Sequence, residues 1–413
     1  MSVCAAELRT IDNDHQPLMG LAALMTMAYS GVDLTPLGKY MVERATFDEN
    51  DANALMDLST ILQLRGDNDI AMDIQAQALE LQRAYRLPAA GGEPGVRLLA
   101  VKGPGEIMWN TPLEFLVQGS DITLEMLYLS PDKPLPKVVP DHDVMIVAVS
   151  ESDQNRLLLE QIADYAKSWP RPVLNVPERI TRLSRDNAWS LLGAMSGVVM
   201  PMTARIDRDS LAQIGRGEVV VGTVLADGDF PVLVRPVDSQ AGRGLVKLDG
   251  PAAILDYLEA RPDTEFFVSR FIDYRSEDGQ FRKYRIVYIG GRPYACHMAV
   301  SEHWMVHYLN AGMTQSAAKR AEEARFMAEF EHGFASRHDA ALREISNRVG
   351  LEYFCIDCAE VPDAGLLIFE VGNAMVVHAM DQVEEFEYKR PHMHKVFDAF
   401  RAMLSDAIKR NEI

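Results

Sequence analysis

The spacing of hydrophobic positions changes along the chain and divides it into a helical first part and an alternating second part. From residue 17 to residue 83 the apolar positions recur at helical spacing. Residues 88–95, rich in proline and glycine, end this pattern and are predicted to be a linker. Short continuous apolar runs then alternate with helical segments, and these runs are Val96–Val101, Leu124–Leu129 and Val144–Val149. Such runs are typical of buried parallel strands.

The alternation predicts a small doubly wound sheet over residues 95–200, with helices near 107–118 and 152–168. Two segments directly follow predicted strands. Gly103–Gly105 stands where a ligand lies in such sheets, at the carboxyl end of a strand. Ser150–Asp153 carries residues that favour capping of the next helix over contact with a substrate.

From about residue 205 the pattern is α+β. Strands are predicted near 218–224, 232–236, 245–248, 265–270, 284–290, 293–299, 353–359 and 366–371, and helices near 208–214, 251–260, 314–349 and 388–410. The segment 314–349 is rich in Ala, Glu and Arg and lacks proline, which predicts one or two exposed helices. The fold class is therefore α/β (α+β), preceded by an all-α region.

The helical part repeats at a spacing of 34 residues. The aligned pairs are Leu21 with Leu55, Leu24 with Leu58, Leu37 with Ala71, and Tyr40 with Ile74. Each unit breaks near a glycine, Gly31 or Gly66. Two helix–turn–helix units of this length resemble the tetratricopeptide repeat and would occupy residues 1–90. The alternative is a plain four-helix cap, and in either case two units need support from the rest of the protein.

Composition limits the partners. A chain of 413 residues is too long for one core and is expected to form two or three domains. The net charge of −19 argues against a nucleic-acid partner, and no uncharged run is long enough to span a membrane. Met1–Glu7 lacks the pattern of a signal peptide, and four cysteines do not form a disulfide framework. We expect a cytoplasmic protein.

Two elements point to a bound nucleotide. A glycine-rich turn, Ser239–Gly244, follows the predicted strand Val232–Pro236, and glycine lets backbone N–H groups approach an anion closely. Far along the chain, two further strands carry Asp357 and Glu370, with Asn373 just beyond. Hard oxygen ligands on neighbouring strands suit a phosphate-bridged magnesium ion. Together they predict a site for ATP and Mg²⁺.

From residue 96 onward the order of elements resembles the ATP-grasp superfamily of carboxylate–amine ligases, especially glutathione synthetases and ribosomal-protein glutamate ligases. The resemblance implies a Rossmann-like lobe at 95–200 and an ATP-grasp domain at 201–413. Within that domain it implies a mobile lid at about 205–268 and a C-terminal lobe at about 269–413. ATP would lie between two antiparallel sheets, and members of this family often form homodimers.

The resemblance assigns roles to particular residues. It implies that Arg235 and Arg285 are catalytic, and that Asp357, Glu370 and Asn373 hold the metal. The implied nucleotide contacts are Arg235, Gln240, Gly242, Arg243, Gly244, Ser269, Arg270, Phe271 and Ile272. The implied contacts to the acceptor substrate are His297, Ser301, His307, Asn310 and Gly312.

The chain departs from the family pattern at three places. Arg235 replaces the usual lid lysine, which keeps the charge and adds a fork for phosphate oxygens. Asn187 stands where a second lysine often follows the hinge aspartate, Asp186. The metal motif reads Glu370-Val371-Gly372-Asn373 rather than Glu-x-Asn, and positions i and i+3 of a regular strand face opposite ways. A bulge at Gly372 is therefore needed for both side chains to reach one metal.

Several alternatives stay open at this stage. Cys355 and Cys358 are predicted to be core thiols rather than a zinc or redox pair, since no second pair completes four ligands. His297, His303 and His307 around Trp304 suggest substrate contacts more than a transition-metal site. Lys283 and Arg282 are consistent with a solvated face, and His378 with either the pocket or solvent.

The sequence thus predicts an ATP-dependent ligase that activates a carboxylate as an acyl phosphate and joins it to an amine. The acceptor is a small molecule, or a peptide or protein gripped by the helical repeats. The alternative is a nucleotide-binding adaptor whose ligase lobe no longer turns over.

Overall fold

The structure of the protein is a computed structural model that describes residues 7–9, 16–226, 228–239, 242–362, 364–381 and 383–411. The described residues form helices and three large β-sheets, which confirms a mixed α/β fold. A fourth, two-stranded sheet pairs β1 (Glu7–Arg9) in parallel with a short strand near residue 139.

Four helices form the first part of the chain: α1 (Gly20–Tyr29), α2 (Thr35–Phe47), α3 (Ala52–Arg65) and α4 (Asn68–Leu81). The α3 helix packs against the other three. It begins with Asp51, whose carboxylate accepts the Ala54 N–H at 2.9 Å, and ends at Gly66 in the left-handed conformation. These helices lie where the sequence predicted helices, and the tetratricopeptide-like repeat stays a prediction.

The second module is a five-stranded sheet that we call the N-terminal sheet. Its strand order is β2-β4-β3-β6-β7. The strands are β2 (Ala84–Leu87), β3 (Val96–Lys102), β4 (Ile122–Tyr128), β6 (Val144–Val147) and β7 (Val173–Leu174), and β5 (Val138–Pro140) is the partner of β1. The helices of this region are α5 (Glu114–Val117), α6 (Arg156–Ala166), α7 (Pro177–Ile180) and α8 (Arg185–Leu192). The strands β3, β4, β6 and β7 pair in parallel, whereas β2 is an antiparallel edge strand that the sequence did not predict.

The third module is a four-stranded antiparallel sheet, which we call the lid sheet. It has the order β11-β10-β12-β9 and consists of β9 (Thr203–Asp207), β10 (Val232–Pro236), β11 (Val246–Leu248) and β12 (Glu265–Arg270). The helices α9 (Arg208–Gly215) and α10 (Pro251–Glu259) cover one face. The predicted strand at 218–224 is wrong. That segment ends in a 3-10 turn at Val221–Thr223, because Val221 and Leu225 pack into the core under the sheet instead of pairing with a strand.

The fourth module is the C-terminal sheet, with the order β14-β13-β15-β16-β8. Its strands are β8 (Val198–Val199), β13 (Phe281–Ile289), β14 (Arg292–Ser301), β15 (Tyr353–Val361) and β16 (Gly365–Gly372). Its helices are α11 (Ala317–Ala328), α12 (Phe334–Arg337), α13 (Asp339–Val349), α14 (Val383–Phe386) and α15 (Arg390–Asn411). The prediction of helices at 314–349 is confirmed, but there are three rather than one or two, and they are not fully exposed because Phe330 and Phe334, near the break after α11, stack in the core.

The hydrophobic core joins most of these modules. One cluster of buried side chains runs from Leu18 and Met56 of the helical region through both five-stranded sheets to Ala407 of α15. The lid sheet has a separate core, built from residues between Leu211 and Val268. The helical region is therefore packed onto the sheets, whereas the lid is supported mainly by its own interior.

Candidate functional site

A cleft of about 700 Å³ separates the lid sheet from the C-terminal sheet. Both sheets are antiparallel at this cleft, apart from β8. Loops at the carboxyl end of the N-terminal sheet contribute Ser150, Glu151 and Asp153 to the lining, and α1 contributes Met25 and Tyr29. The cleft thus collects side chains from every large module of the protein.

Strand alternation decides which lid residues face the cleft. On β10 and β12, Leu233 and Arg235 lie opposite Ser269 and Phe267, and all four line the cleft. The intervening residues point the other way into the lid core. The backbone and side chains of Ser269, Arg270, Phe271 and Ile272 continue this wall. The sequence prediction for the two strands is confirmed.

Arg235 is a buried cation without a carboxylate partner among the described residues. Its side chain is 8% exposed, and its guanidinium donates to the hydroxyl of Ser239 at 3.0 Å and to the Ser239 carbonyl oxygen. Burial and the nearby Arg185 lower the pKa of Arg235 to about 9, so it is still charged at neutral pH. A buried charge with neutral partners is unfavourable. This site is therefore built for an anion.

Three further polar atoms at the cleft have no hydrogen-bond partner among the described residues. They are the Ser184 hydroxyl, Nε of Arg270 and Nδ1 of His297. Buried polar atoms are normally hydrogen-bonded, so each exception needs an explanation. A ligand with both donors and acceptors would satisfy all three.

The C-terminal sheet presents a cluster of opposite charges. Arg285 on β13 faces Asp357 on β15 and holds it with two hydrogen bonds, 2.7 Å from Nε and 3.0 Å from the terminal nitrogen. Lys283, two residues earlier on the same face, bonds the second carboxylate oxygen at 2.9 Å. Burial alone would raise the pKa of Asp357, but Arg285 and Lys283 hold it far below its usual range. Asp357 is therefore a permanent anion.

Lys283 and Arg282 have different surroundings. Lys283 lines the cleft, so its interpretation as part of a solvated face is wrong. Arg282 points to the other side of the strand, where it pairs with Asp278 at 2.7 Å and with Glu322. Period-two alternation from Arg285 would have indicated the difference.

Glu370 pairs with a cation that sequence reasoning missed. A terminal nitrogen of Arg185, the first residue of α8, lies 2.7 Å from the Glu370 carboxylate. Burial alone would raise the pKa of Glu370, but Arg185 and Arg235 lower it. Asn187, two residues later, is exposed and contributes nothing to the cleft. A cation in the first turn of a helix is electrostatically unfavourable. The position of Arg185 in the sequence could therefore have indicated that it has a specific anionic partner.

Two β-bulges flank this cluster. In β14 the extra residue is Cys296, because Arg285 pairs with His297 and the next pair is Ile286 with Ala295. In β16 the extra residue is Phe369, because Asp357 pairs with Glu370 and Cys358 with Ile368. The Phe369 carbonyl oxygen accepts a hydrogen bond from Arg185 at 3.3 Å. Bulges re-aim neighbouring side chains, and here they turn His297 and Glu370 to the cleft.

The prediction of a bulge at Gly372 is wrong, since the pairing irregularity of β16 lies at Phe369. The β16 strand ends at Gly372, and Asn373 follows it in an irregular segment. The Asn373 amide nitrogen donates to the Val149 carbonyl oxygen at 2.9 Å and contacts the Thr111 hydroxyl at 3.4 Å. Asn373 thus ties the C-terminal sheet to the N-terminal sheet while lining the cleft.

The three proposed metal ligands can be tested against a divalent cation. Asp357 and Glu370 are cross-strand neighbours at the cleft, and carboxylate oxygens are the ligands that Mg²⁺ prefers. The described residues contain no group of three or more His, Cys, Asp and Glu side chains arranged to hold a metal. Mg²⁺ commonly uses one or two carboxylates and completes its shell with phosphate and water, so the donors present fit it.

His297 and His307 are both uncharged at neutral pH. Burial lowers the pKa of His297 well below its usual value, and Arg285 acts in the same direction. Burial also lowers the pKa of His307. The His297 ring lies 4.8 Å from the Tyr308 ring, and the backbone N–H of His307 donates to the Asn310 side chain at 3.1 Å. His297, His307 and Asn310 line the cleft, whereas His303 does not.

Some predicted contacts lie away from the cleft. Ser301 is 5% exposed, and its hydroxyl accepts the His303 N–H at 3.1 Å. Gly312 lies in a turn with a φ of 69° and does not line the cleft. Arg243 is exposed, and the carbonyl oxygen of Gly244 accepts the Tyr257 hydroxyl at 2.9 Å, which ties this turn to α10.

Of the glycine turn, Gly242 lines the cleft, with a φ of 74°. Gln240 lies outside the described residues. The thiols of Cys355 and Cys358 are buried in the core, which confirms the sequence prediction.

The two turns that follow strands of the N-terminal sheet differ in part from the predictions. The α6 helix begins at Arg156, and the Ser152 hydroxyl accepts the Asn155 N–H just before it at 3.2 Å, so this segment does contribute a capping hydrogen bond. Ser150, Glu151 and Asp153 also line the cleft, and the Asp153 N–H donates to the Asp238 carboxylate at 3.3 Å. Gly105 is held by Gln75 of α4 through hydrogen bonds of 2.7 and 3.0 Å. The helical region therefore covers the turn that was expected to bind a ligand.

No helix among the described residues is long and apolar enough to cross a membrane.

Comparison with known proteins gives faint likenesses. No protein-family model matches the chain, and no curated protein matches it. Solved structures that resemble it include a RimK-domain ATP-grasp protein of Sphaerobacter thermophilus, with 16% identity, 75% of this chain and 99% of that chain covered, and a TM-score of 0.41. For the D-alanine–D-alanine ligase of Coxiella burnetii the identity is 10%, the match covers 77% of this chain and 96% of that chain, and the TM-score is 0.46. For the VanG D-Ala:D-Ser ligase of Enterococcus faecalis the identity is 13%, the match covers 75% of this chain and 99% of that chain, and the TM-score is 0.43. At scores below 0.5 these likenesses carry no argument about activity.

Proposed function

We propose that this protein is an ATP-dependent ligase of the ATP-grasp type, which joins a carboxylate to an amine with release of ADP and phosphate. The observation that carries the proposal is Arg235, a buried cation without a carboxylate partner among the described residues, on one wall of a cleft between two antiparallel sheets. The opposite wall carries the charged cluster of Lys283, Arg285 and Asp357. An occupant with several negative charges suits this arrangement.

The proposed reaction has two steps. A carboxylate oxygen of the first substrate attacks the γ-phosphorus of ATP, and the bond to the bridging oxygen of ADP breaks. The amine of the second substrate then attacks the acyl carbon, phosphate leaves, and the amine loses a proton. In this scheme the enzyme mainly positions the reactants and stabilises charge.

Each wall would hold a part of the nucleotide. Arg235 would bind phosphate oxygens together with Arg185, which is close enough to lower the pKa of Arg235. Arg285 would steady the transferred phosphoryl group. The segment Ser269–Ile272 would receive the adenine base; its Phe271 ring meets the Trp304 ring edge to face, with centroids 5.6 Å apart. The neutral His297 would contact the acceptor substrate.

Glu370 and Asp357 would hold Mg²⁺, with Asn373 as a further candidate. The ion would supply charge neutralisation between the phosphates. Asp357 is already bonded to Lys283 and Arg285, so its share in this role is smaller than that of Glu370, whose Oε1 pairs with Arg185.

The test compares two lid variants. Arg235→Met is expected to weaken Mg·ATP binding by about tenfold or more, because charge-assisted hydrogen bonds contribute about 1.5–3 kcal/mol. Arg216→Met is the matched control, since Arg216 is an exposed lid arginine paired with Glu218. Binding is measured by calorimetry, and ADP release is then screened with pairs of carboxylates and amines. Absence of Mg·ATP binding to the wild type would contradict the proposal.

A second candidate is favoured by the pairing of Asp357 with two cations. If those ion pairs persist with nucleotide bound, the protein would bind nucleotide without turnover and act as a scaffold. Mg·ATP binding that depends on Arg235, together with no ADP release for any substrate pair, is the expected result for that candidate.

A further inference from the structure

One end of the cleft is closed by a helix that belongs to the N-terminal helical region. Met25 and Tyr29 of α1 line the cleft. The irregular segment 373–381, which follows β16, packs directly against α1. The helical region therefore forms part of the wall of the site.

The α1 helix is fixed in this position at both ends. At its start, the Asp57 carboxylate accepts the backbone N–H groups of Met19 and Gly20 at 2.8 and 2.9 Å. At its end, the Tyr29 hydroxyl donates to the Asp381 carboxylate at 3.1 Å, and the Tyr29 ring lies 6.0 Å from the His378 ring.

The side of α1 that faces the cleft packs into a small hydrophobic cluster. The members of this cluster are Leu21, Ala22, Met25, Ile107, Phe115, Val376 and Met380. Because the cluster joins α1 both to the N-terminal sheet region and to segment 373–381, the helix is part of a rigid wall.

This wall lies next to the proposed reaction centre. A terminal nitrogen of Arg285 donates to the Val376 carbonyl oxygen at 3.0 Å, and Val376 belongs to the same hydrophobic cluster as Met25. If Arg285 held the reacting end of a substrate, the rest of that substrate would thus lie next to α1.

The Asp381 carboxylate and one ring nitrogen of His378 at this end already have hydrogen-bond partners. Asp381 bonds both Tyr29 and Lys389, the latter at 2.9 Å. Nδ1 of His378 accepts the Met380 N–H at 3.1 Å. Burial lowers the pKa of His378 to about 4, so the ring is uncharged.

What remains for a ligand is an apolar surface rich in methionine. The lining residues are Met25, Met108, Met375, Val376 and Met380. Methionine is flexible and polarisable, and it adapts to apolar groups of different shape.

We propose, on the basis of the function proposed above, that this end of the cleft binds an apolar side chain or alkyl group of one of the two substrates. Met25 is a specificity-determining residue, and the helical region takes part in substrate choice through α1. A charged group at this position would lose its hydration without gaining a partner.

The test uses binding rather than turnover. The probes are glycine, L-alanine, L-leucine and L-phenylalanine, which carry both a carboxylate and an amine and differ only in the side chain. Their affinities are measured by calorimetry with the enzyme saturated by Mg²⁺ and a non-hydrolysable ATP analogue. The wild type is expected to bind L-leucine or L-phenylalanine about tenfold more tightly than glycine, since an apolar pocket discriminates to that degree.

Two matched variants separate a local effect from a loss of fold. Met25→Gln places an amide in the apolar wall and is expected to abolish the preference. Met27→Gln changes the same helix two residues away, where Met27 packs into the core of the helical region, and is expected to keep it.

Equal affinity for all probes in the wild type, or an equal loss in both variants, would overturn the inference. A side-chain preference that depends on Met25 in a protein that never forms ADP would sustain the inference and reject the ligase function. The two proposals can therefore fail separately.

Discussion

Glu151 is the side chain whose charge state is most sensitive to pH near neutrality among those that line the cleft. Burial raises its pKa to about 7, and the negative charges of Asp238, Asp153 and Asp186 add to the shift, whereas Arg156 opposes it. Asp238 belongs to the lid and Asp153 to the N-terminal sheet region, so Glu151 stands where the two modules meet.

This shift predicts how stability depends on pH. The pKa of Glu151 is higher in the folded than in the unfolded chain, so its contribution is fully present below about pH 4.5 and is lost as the pH rises through 7. In the wild type this titration is expected to lower the free energy of unfolding by on the order of 2 kcal/mol between pH 5 and pH 8, and Glu151→Gln is expected to remove that decrease. Urea unfolding at several pH values across this range measures the free energy. Glu160→Gln, at an exposed position of α6, is the control, and identical slopes in the wild type and Glu151→Gln would contradict the assignment.

The residue scale also shows where sequence reasoning stops. The sequence predicted Asp357 as a metal ligand but did not indicate that the side chains of Lys283 and Arg285 pair with it. These residues lie more than seventy positions from Asp357, and only strand pairing brings them together. Each strand could be predicted from its own residues, whereas the residues that it faces on the neighbouring strand could not.

At the scale of elements, the lid is tied to the N-terminal sheet region by a small number of polar contacts. Arg205 on β9 forms an ion pair with Asp153 and another with Glu265 on the neighbouring lid strand, the latter at 2.7 Å. Of these two ion pairs, the one with Asp153 crosses from the lid to the N-terminal sheet region, as does the hydrogen bond from the Asp153 N–H to Asp238.

Removing that contact is expected to loosen the lid. A half-exposed ion pair contributes up to about 1 kcal/mol, so Asp153→Ala should speed hydrogen exchange in β9 and β10 by about fivefold. Glu265→Ala removes the other partner of Arg205 without touching the connection and should leave exchange in β10 nearly unchanged. Equal effects of the two substitutions would show that the ion pair does not hold the lid.

Elements were predicted well where apolar periodicity was strong, as in β3, β4, β6, β13 and β15. The missed or wrong elements include β2, β9, the segment 218–224 and the break in 314–349. In each case, tertiary packing outweighed local preference. The β2 strand exists because β4 offers it an edge, and 218–224 stays irregular because no strand lies beside it.

At the scale of the whole molecule, the way buried side chains are shared between modules predicts two levels of stability. Part of the helical region, including Ala52 and Met56 of α3, shares one cluster with both five-stranded sheets, whereas the lid has a cluster of its own. Modules with few shared contacts open locally at lower free energy than the whole protein unfolds.

Native-state hydrogen exchange at low denaturant concentration should therefore show the amides of β10 and β12 opening at a lower free energy than those of β3, β13 and α3. The last three should open together at the free energy of global unfolding. If α3 opened with the lid, or independently of the sheets, the shared core would not act as one cooperative unit.

The edge strand β2 has a consequence for any attempt to remove the helices. It follows α4 directly and pairs with β4 along residues Ala84–Leu87, so it covers the backbone of β4 at the margin of the sheet. A fragment that began after β2 would leave the backbone amide and carbonyl groups along that edge of β4 unpaired. Unpaired groups on an apolar edge strand are a template for aggregation. Insolubility of such a fragment would reflect this uncapped margin, and would say nothing about what the helices recognise.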